Sequence, residues 1–220
     1  MTIATSSAEF AARIAASTVD HSTSVLCNDP PVVLIEDYLA QPERQALIDA
    51  ARLNLGVPKL DVGQIGADYE VRSGRLAWLP HFHNATTQAL ADRIAALVGI
   101  PLDHAESFQV VRYGVGHQYR AHYDGYDMTT RVGASNVARG GQRIATALLY
   151  LVAPEEGGGT PFPNLDIEVE PVPGRLLVFW NVGQDRLCPH PATLHAGAPV
   201  GRGEKWIANL WFRERPYRAD

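Results

Sequence analysis

From Phe108 onward the chain is broken into short apolar runs, FQVVRYG, IATALLYLV, IEVEPV, RLLVFW, ATLHAG and KWIANLWFR, with Gly and Pro between them. Runs this short, bounded by turn residues, read as strands, and several in succession predict a sandwich or barrel. The last run alternates most strictly. Trp206, Ala208, Leu210 and Phe212 fall on one face, and Lys205, Ile207, Asn209, Trp211 and Arg213 on the other. The apolar face belongs in a core. The other is either a solvated outer surface or a pocket wall, where a buried ammonium needs an anion.

The N-terminal half has a different texture. VVLIEDYL (32–39) predicts a strand, and PERQALIDAARLNL opens a helix with Pro42 where the first turn tolerates it. A second helix is expected from Thr86 or Thr87, through Leu90, Ile94, Leu97 and Val98, to Gly99. Residues 1–30 are Ala- and Ser-rich, carry Phe10 and Ile14 at helical spacing, and end in NDPP, which reads as an appended helix and linker. The expected organisation is an N-terminal extension (1–30) and one domain (31–217), with helical support over 31–106 and a β core over 107–217. A chain of 220 residues needs no more than one such domain.

Charge narrows the partners. The net charge is −5 and no Lys/Arg run forms a phosphate-binding stripe, so neither nucleic acid nor an anionic membrane is expected as partner. No stretch approaches the roughly 18–20 apolar residues of a membrane span, and the first residues lack a basic segment followed by an apolar one, so a cytoplasmic protein is expected. Cys27 and Cys188 form no CxxC pair and suggest neither a disulfide framework nor a thiolate zinc site. No pattern fixes the oligomeric state.

In YRAHYDGYD (119–127), His122 and Asp124 stand two apart, a spacing that puts both side chains on one face of a strand. His195 in TLHAGAPV is the candidate third ligand, with His190 in CPHP as its rival. Two imidazoles and a carboxylate make the facial triad of non-haem Fe(II) oxygenases, which leaves positions open for substrate and dioxygen. An isolated H-x-D is also a common chance pattern.

From SFQVVRYG to WFRERPY the chain resembles the prolyl 4-hydroxylase-like family of 2-oxoglutarate, Fe(II)-dependent dioxygenases, and with the N-terminal helices the resemblance covers roughly residues 31–217. It rests on ordered motifs: RYGVGHQYRAHYD, RIATALLYL, EEGGGTPFP, LHAGAPV and GEKWIANLW, with Lys205 ten positions after His195. The resemblance implies a mainly β fold with supporting helices, the double-stranded β-helix or jelly roll. It implies His122, Asp124 and His195 as iron ligands, Lys205 and Thr160 as anchors for the distal carboxylate of 2-oxoglutarate, and Tyr113 as a further contact. Tyr119, Arg143, Trp211 and Arg72 fall where the family lines its substrate pocket. Two positions depart from its pattern: Gly74 in RSGRLAW stands for an expected Ser, and Gly159 for a common Glu.

The implied reaction consumes 2-oxoglutarate and dioxygen at Fe(II), releases succinate and carbon dioxide, and hydroxylates an unactivated C–H bond, with ascorbate as an accessory reductant. A prolyl residue in a peptide or protein is the leading substrate. A free amino acid or small biosynthetic intermediate is the alternative, and a metal-binding interaction module without oxygenase activity is a third reading. The Gly-bearing segment 126–141, polar and poor in large apolar residues, is expected to be a mobile loop serving as a lid over the site.

Overall fold

The computed structural model describes residues 6–18, 20–56 and 73–217. Its elements, in chain order, are α1 (Ser7–Ser17), β1 (Thr23–Asn28), β2 (Pro31–Ile35), α2 (Gln41–Arg52), β3 (Arg75–Leu79), α3 (Ala85–Val98), β4 (Phe108–Tyr113) and β5 (Tyr119–His122). There follow α4 (Arg131–Asn136), β6 (Arg143–Val152), β7 (Glu156–Gly157), β8 (Thr160–Phe162), β9 (Ile167–Val169), β10 (Leu176–Trp180), β11 (His195–Gly197), β12 (Val200–Arg202) and β13 (Lys205–Arg213).

Seven strands form one antiparallel sheet in the order β1-β2-β10-β6-β13-β4-β3. Against it stand three two-stranded ladders, β5 with β11, β7 with β12, and β8 with β9. The large sheet is covered on both faces, which is why its inner strands β6, β10 and β13 are almost continuously buried. On one face α1, α2 and α3 bring Phe10, Ile14, Leu47, Leu90 and Ile94 against Leu149, Val178, Leu210 and Phe212. On the other, Val111, Leu148, Tyr150, Phe162, Phe179 and Ile207 pack between the sheet and the ladders. This two-sheet arrangement with helices on the outer face is the double-stranded β-helix expected from the resemblance.

Three local expectations need revision. Within the 1–30 extension, α1 buries Phe10 and Ile14 in the main core, and β1 extends the large sheet by pairing with β2. An amphipathic stripe of only two large apolar residues is enough, because Phe10 meets Trp180 edge-on with centroids 5.6 Å apart. The second helix starts at Ala85 instead of after Thr86 or Thr87, because Asn84 takes the cap: its Oδ1 accepts from the Thr87 N–H at 2.9 Å, and Thr87 Oγ1 accepts from the Asn84 N–H at 3.1 Å. Asn84→Ala is therefore expected to cost about 1 kcal/mol. Urea unfolding checks this, and an unchanged midpoint would contradict the cap's role.

The third revision concerns 126–141. Thr130 caps α4 by accepting from the Gly133 N–H, and Arg213 donates to the carbonyls of Gly141 and Asn136 at 2.7 and 3.2 Å. The Gln142 amide spans both backbone groups of Tyr126 at 2.7 Å, and the Met128 N–H donates to the Leu187 carbonyl at 2.9 Å. Polar anchors from other elements hold this segment, so the scarcity of apolar residues that suggested a mobile lid does not leave it loose.

Candidate metal centre and cleft

Backbone register brings the two candidate imidazole ligands together. β5 ends at His122, and its pairing with β11 puts His122 directly opposite His195, with ring centroids 4.3 Å apart. Asp124 lies past the end of β5, in a bend. The bend, and not strand alternation, turns its carboxylate back to the imidazoles. Its Oδ1 is 3.7 Å from His122 Nε2 and its Oδ2 is 3.7 Å from His195 Nε2. The three candidate donor atoms lie within 4.8 Å of one another, and among the described residues no other such group of three His, Cys, Asp or Glu assembles.

The imidazoles are oriented alike. His122 Nδ1 is 2.8 Å from the Arg120 carbonyl and His195 Nδ1 is 2.9 Å from the Thr193 carbonyl. A carbonyl can only accept, so each Nδ1 carries a proton, and in the neutral imidazole that leaves the Nε2 lone pair for the centre. Burial would raise the Asp124 carboxyl, but His195 and His122, in their protonated forms, and the Arg143 guanidinium outweigh it and hold its pKa low. Two neutral Nε2 donors and an ionised carboxylate fit a divalent first-row cation. His190 stands apart: its Nδ1 accepts from the Ala192 N–H at 3.2 Å and caps a turn.

The centre opens into a cleft whose walls include Tyr113, Tyr119, Thr160, Lys205, Ile207 and Asn209. Lys205 is 2% exposed and pairs across the sheet with Tyr113. Its ammonium lies 6.0 and 5.7 Å from the ring centroids of Tyr113 and Tyr150 and has no ion pair or hydrogen bond with any described residue. Burial pushes its pKa down to about 8, with Glu168 opposing. Beside it, Thr160 Oγ1 accepts from the Tyr150 hydroxyl at 2.8 Å, which leaves the Thr160 proton free to donate. An ammonium short of an anion and a hydroxyl with a proton to give make a receptor for a carboxylate. Tyr150 was not singled out from sequence, where it is one more apolar letter in IATALLYLV.

The expected substrate residues fall in two groups. Tyr119 stacks on His122 with centroids 3.6 Å apart. Arg143 Cζ lies over Trp211, 3.9 Å from its ring centroid, and Glu106 grips the guanidinium with two bonds of 2.6 and 2.9 Å. Burial would lower the Arg143 pKa, but Glu106, Tyr126 and Asp124 more than offset it, so the guanidinium is firmly charged. The Trp211 indole N–H is buried, lies near enough to Asp124 to help hold its pKa down, and forms no hydrogen bond of regular geometry. Glu106 went unnoticed in the sequence because nothing around AESF marks a buried acid. Arg72 lies outside the described residues.

Both departures from the family pattern have local causes. Gly74 has φ of +127°, and a Cβ there would meet the Arg112 carbonyl oxygen at 2.9 Å, so a Ser would be strained and crowded. At Gly159 the space a side chain would take is filled by the Glu168 carboxylate from β9.

With this geometry in hand, comparison with known proteins is direct. The model of the 2OG-Fe(II) oxygenase superfamily matches residues 108–213, the stretch that carries all three triad residues and Lys205. Prolyl 4-hydroxylase 1 of Arabidopsis thaliana is 32% identical over 208 residues, covering 84% of this chain and 70% of that protein. A relative from Acanthamoeba polyphaga mimivirus, also named for prolyl 4-hydroxylase, is 40% identical over 152 residues, and the match spans 69% of this chain but 62% of the relative. Among solved structures, the viral collagen prolyl hydroxylase of Paramecium bursaria Chlorella virus-1, in its 2-oxoglutarate complex, superposes with a TM-score of 0.61 at 31% identity and covers 83% of this chain and 95% of its own. The fold and site define a 2-oxoglutarate-dependent non-haem iron dioxygenase. Within that class, the chain belongs to the prolyl 4-hydroxylase family, with Fe(II) as its metal and 2-oxoglutarate as its cosubstrate.

Proposed function

We propose that this chain hydroxylates a prolyl residue within a peptide or protein, with His122, Asp124 and His195 holding Fe(II) and Lys205 and Thr160 holding the distal carboxylate of 2-oxoglutarate. The observation that carries the reading is the buried Lys205 ammonium, which forms no ion pair among the described residues, at the wall of the same cleft that holds the triad. A metal-binding module would have no use for it. When bound, the metal supplies the redox chemistry that couples decarboxylation of 2-oxoglutarate to C–H hydroxylation. The chain's own residues do the rest. The two carbonyls at Arg120 and Thr193 hold the Nδ1 protons and so turn the Nε2 atoms toward the metal, Lys205 and Thr160 fix one end of the cosubstrate, and the surrounding aromatic walls limit water. Tyr113 contributes to the cosubstrate wall and Tyr119, Arg143 and Trp211 to the substrate side in this proposal.

A peptide is favoured over a free amino acid by the aromatic path leading out of the site. Trp211 contacts Trp78 with centroids 6.0 Å apart, and Trp78 is 47% exposed on the edge strand β3. Such a surface suits residues flanking a proline, which a free amino acid lacks. Proline-rich peptide is expected to stimulate succinate release at least fivefold over the uncoupled rate, while free proline does not; stimulation by free proline alone would overturn the peptide reading. A cytoplasmic location stays within the proposal, supported by two unpaired cysteines that suit a reducing compartment. Among the described residues no helix is long and apolar enough to cross a membrane. The division into an extension (1–30), whose α1 and β1 pack onto the rest of the fold, and an oxygenase domain (31–217), and ascorbate as accessory reductant, are likewise proposals.

A further inference from the structure

We infer that Asn181 is a positioning residue that ties the two arms of the metal centre together, acting on Asp124 through Thr146 and on His195 through the turn from His190 to Thr193. The inference rests on the proposed metal site and adds to it a residue that touches neither metal nor substrate. Asn181 follows β10 in FWNVG and is 0% exposed. Thr146, on β6, is equally buried, and its Oγ1 lies 2.7 Å from Asp124 Oδ2. An ionised carboxylate only accepts, so the Thr146 proton goes to Asp124. Thr146 Oγ1 must then be the acceptor toward Asn181, whose Nδ2 stands 2.9 Å away. The order of donation, Asn181 to Thr146 to Asp124, is fixed by these constraints.

The second arm runs through the backbone of the same residue. The Asn181 carbonyl accepts from the His190 N–H at 2.9 Å, and the single Thr193 hydroxyl proton goes to the His190 carbonyl at 2.7 Å, which leaves Thr193 Oγ1 in contact with the Asn181 carbonyl at 3.4 Å. These bonds set the turn whose Thr193 carbonyl orients His195. Gly125, next to Asp124, packs on the Asn181 carbonyl and side chain as well, since a Cβ at Gly125 would lie 3.4 and 3.6 Å from them. One buried residue therefore meets the chain on both sides of the centre, and the segments it joins are far apart in sequence. The physical consequence is a carboxylate whose Oδ2 is engaged by a hydroxyl, with its plane fixed before any metal arrives.

The test uses Thr146, where an isosteric change is available. Thr146→Val removes the hydroxyl and keeps the branched shape, whereas Thr146→Ser keeps the hydroxyl and loses a methyl. Calorimetric titration of the metal-free chain with Mn(II), with the Mn(II) electron paramagnetic resonance line shape as a second readout, is expected to show Thr146→Val weakened about tenfold with an altered line shape. Thr146→Ser should bind within about threefold of wild type and keep its line shape. In Asn181→Ala the affinity should fall by a similar factor, and the double variant Asn181→Ala/Thr146→Val should be no weaker than the worse single one, because both break the same relay. Wild-type binding by Thr146→Val, or Thr146→Ser as weak as Thr146→Val, would overturn the relay even if Asn181→Ala fails to fold. If wild type itself binds no Mn(II), the metal site is wrong and the relay falls with it.

Discussion

Asp124→Ala is expected to weaken Mn(II) binding about 1,000-fold, or roughly 4 kcal/mol, and to abolish succinate formation. The effect is large because Asp124 is the one anionic donor of the proposed three, and it is 5% exposed, so water replaces it poorly. The neighbouring imidazoles stay turned by their own carbonyls, so the loss isolates the carboxylate. His190→Ala, which removes a turn cap outside the cluster, should leave the affinity within about threefold of wild type. Calorimetry under matched buffer decides between them. Equal affinity in wild type and Asp124→Ala would remove Asp124 from the site.

Lys205→Met is expected to raise the 2-oxoglutarate requirement about 100-fold, a loss near 2.7 kcal/mol, while leaving Mn(II) affinity in the absence of 2-oxoglutarate nearly unchanged. The same substitution should raise the thermal stability of the ligand-free chain. Its folded pKa of about 8 lies below the ordinary lysine value, so the folded state holds the proton less tightly than the unfolded one. Burial of the charged form is thus a cost that is fully present below pH 8 and disappears as pH rises toward the ordinary lysine value. Ligand binding has the opposite linkage. A carboxylate arriving beside Lys205 favours the ammonium, so 2-oxoglutarate affinity should be level up to about pH 8 and fall by up to tenfold per pH unit above it. A Lys205→Met protein that is less stable than wild type, or that keeps its 2-oxoglutarate dependence, would contradict the proposed role.

The parts of this structure legible in the sequence are those governed by short-range pattern. The alternation of KWIANLWFR separated the core face of β13 from the face that lines the cleft, because period-2 burial depends only on neighbouring residues, but it left that second face open between a solvated surface and a pocket wall. The motif order likewise identified the family. Non-local pairing was far less legible. That His122 and His195 are opposite each other in register is a property of β5 and β11 together, and neither strand looks strong alone. Glu106, Thr146, Tyr150 and Asn181 escaped for the same reason: each is ordinary in its own segment and acquires its role from partners far along the chain. The anchored state of 126–141 depends on Arg213 and on the 183–190 turn, neither adjacent in sequence.

The central claim, oxygen transfer to a peptidyl proline at this centre, is tested most directly by tandem mass spectrometry of a proline-rich peptide incubated with the protein, Fe(II), 2-oxoglutarate and air. The expected result is a single added oxygen atom on a prolyl residue, formed in equal amount to succinate and absent when Fe(II) or 2-oxoglutarate is withheld or when Asp124→Ala replaces wild type. A peptide of unchanged mass while 2-oxoglutarate is consumed, or an oxygen found on a residue other than proline, would contradict it.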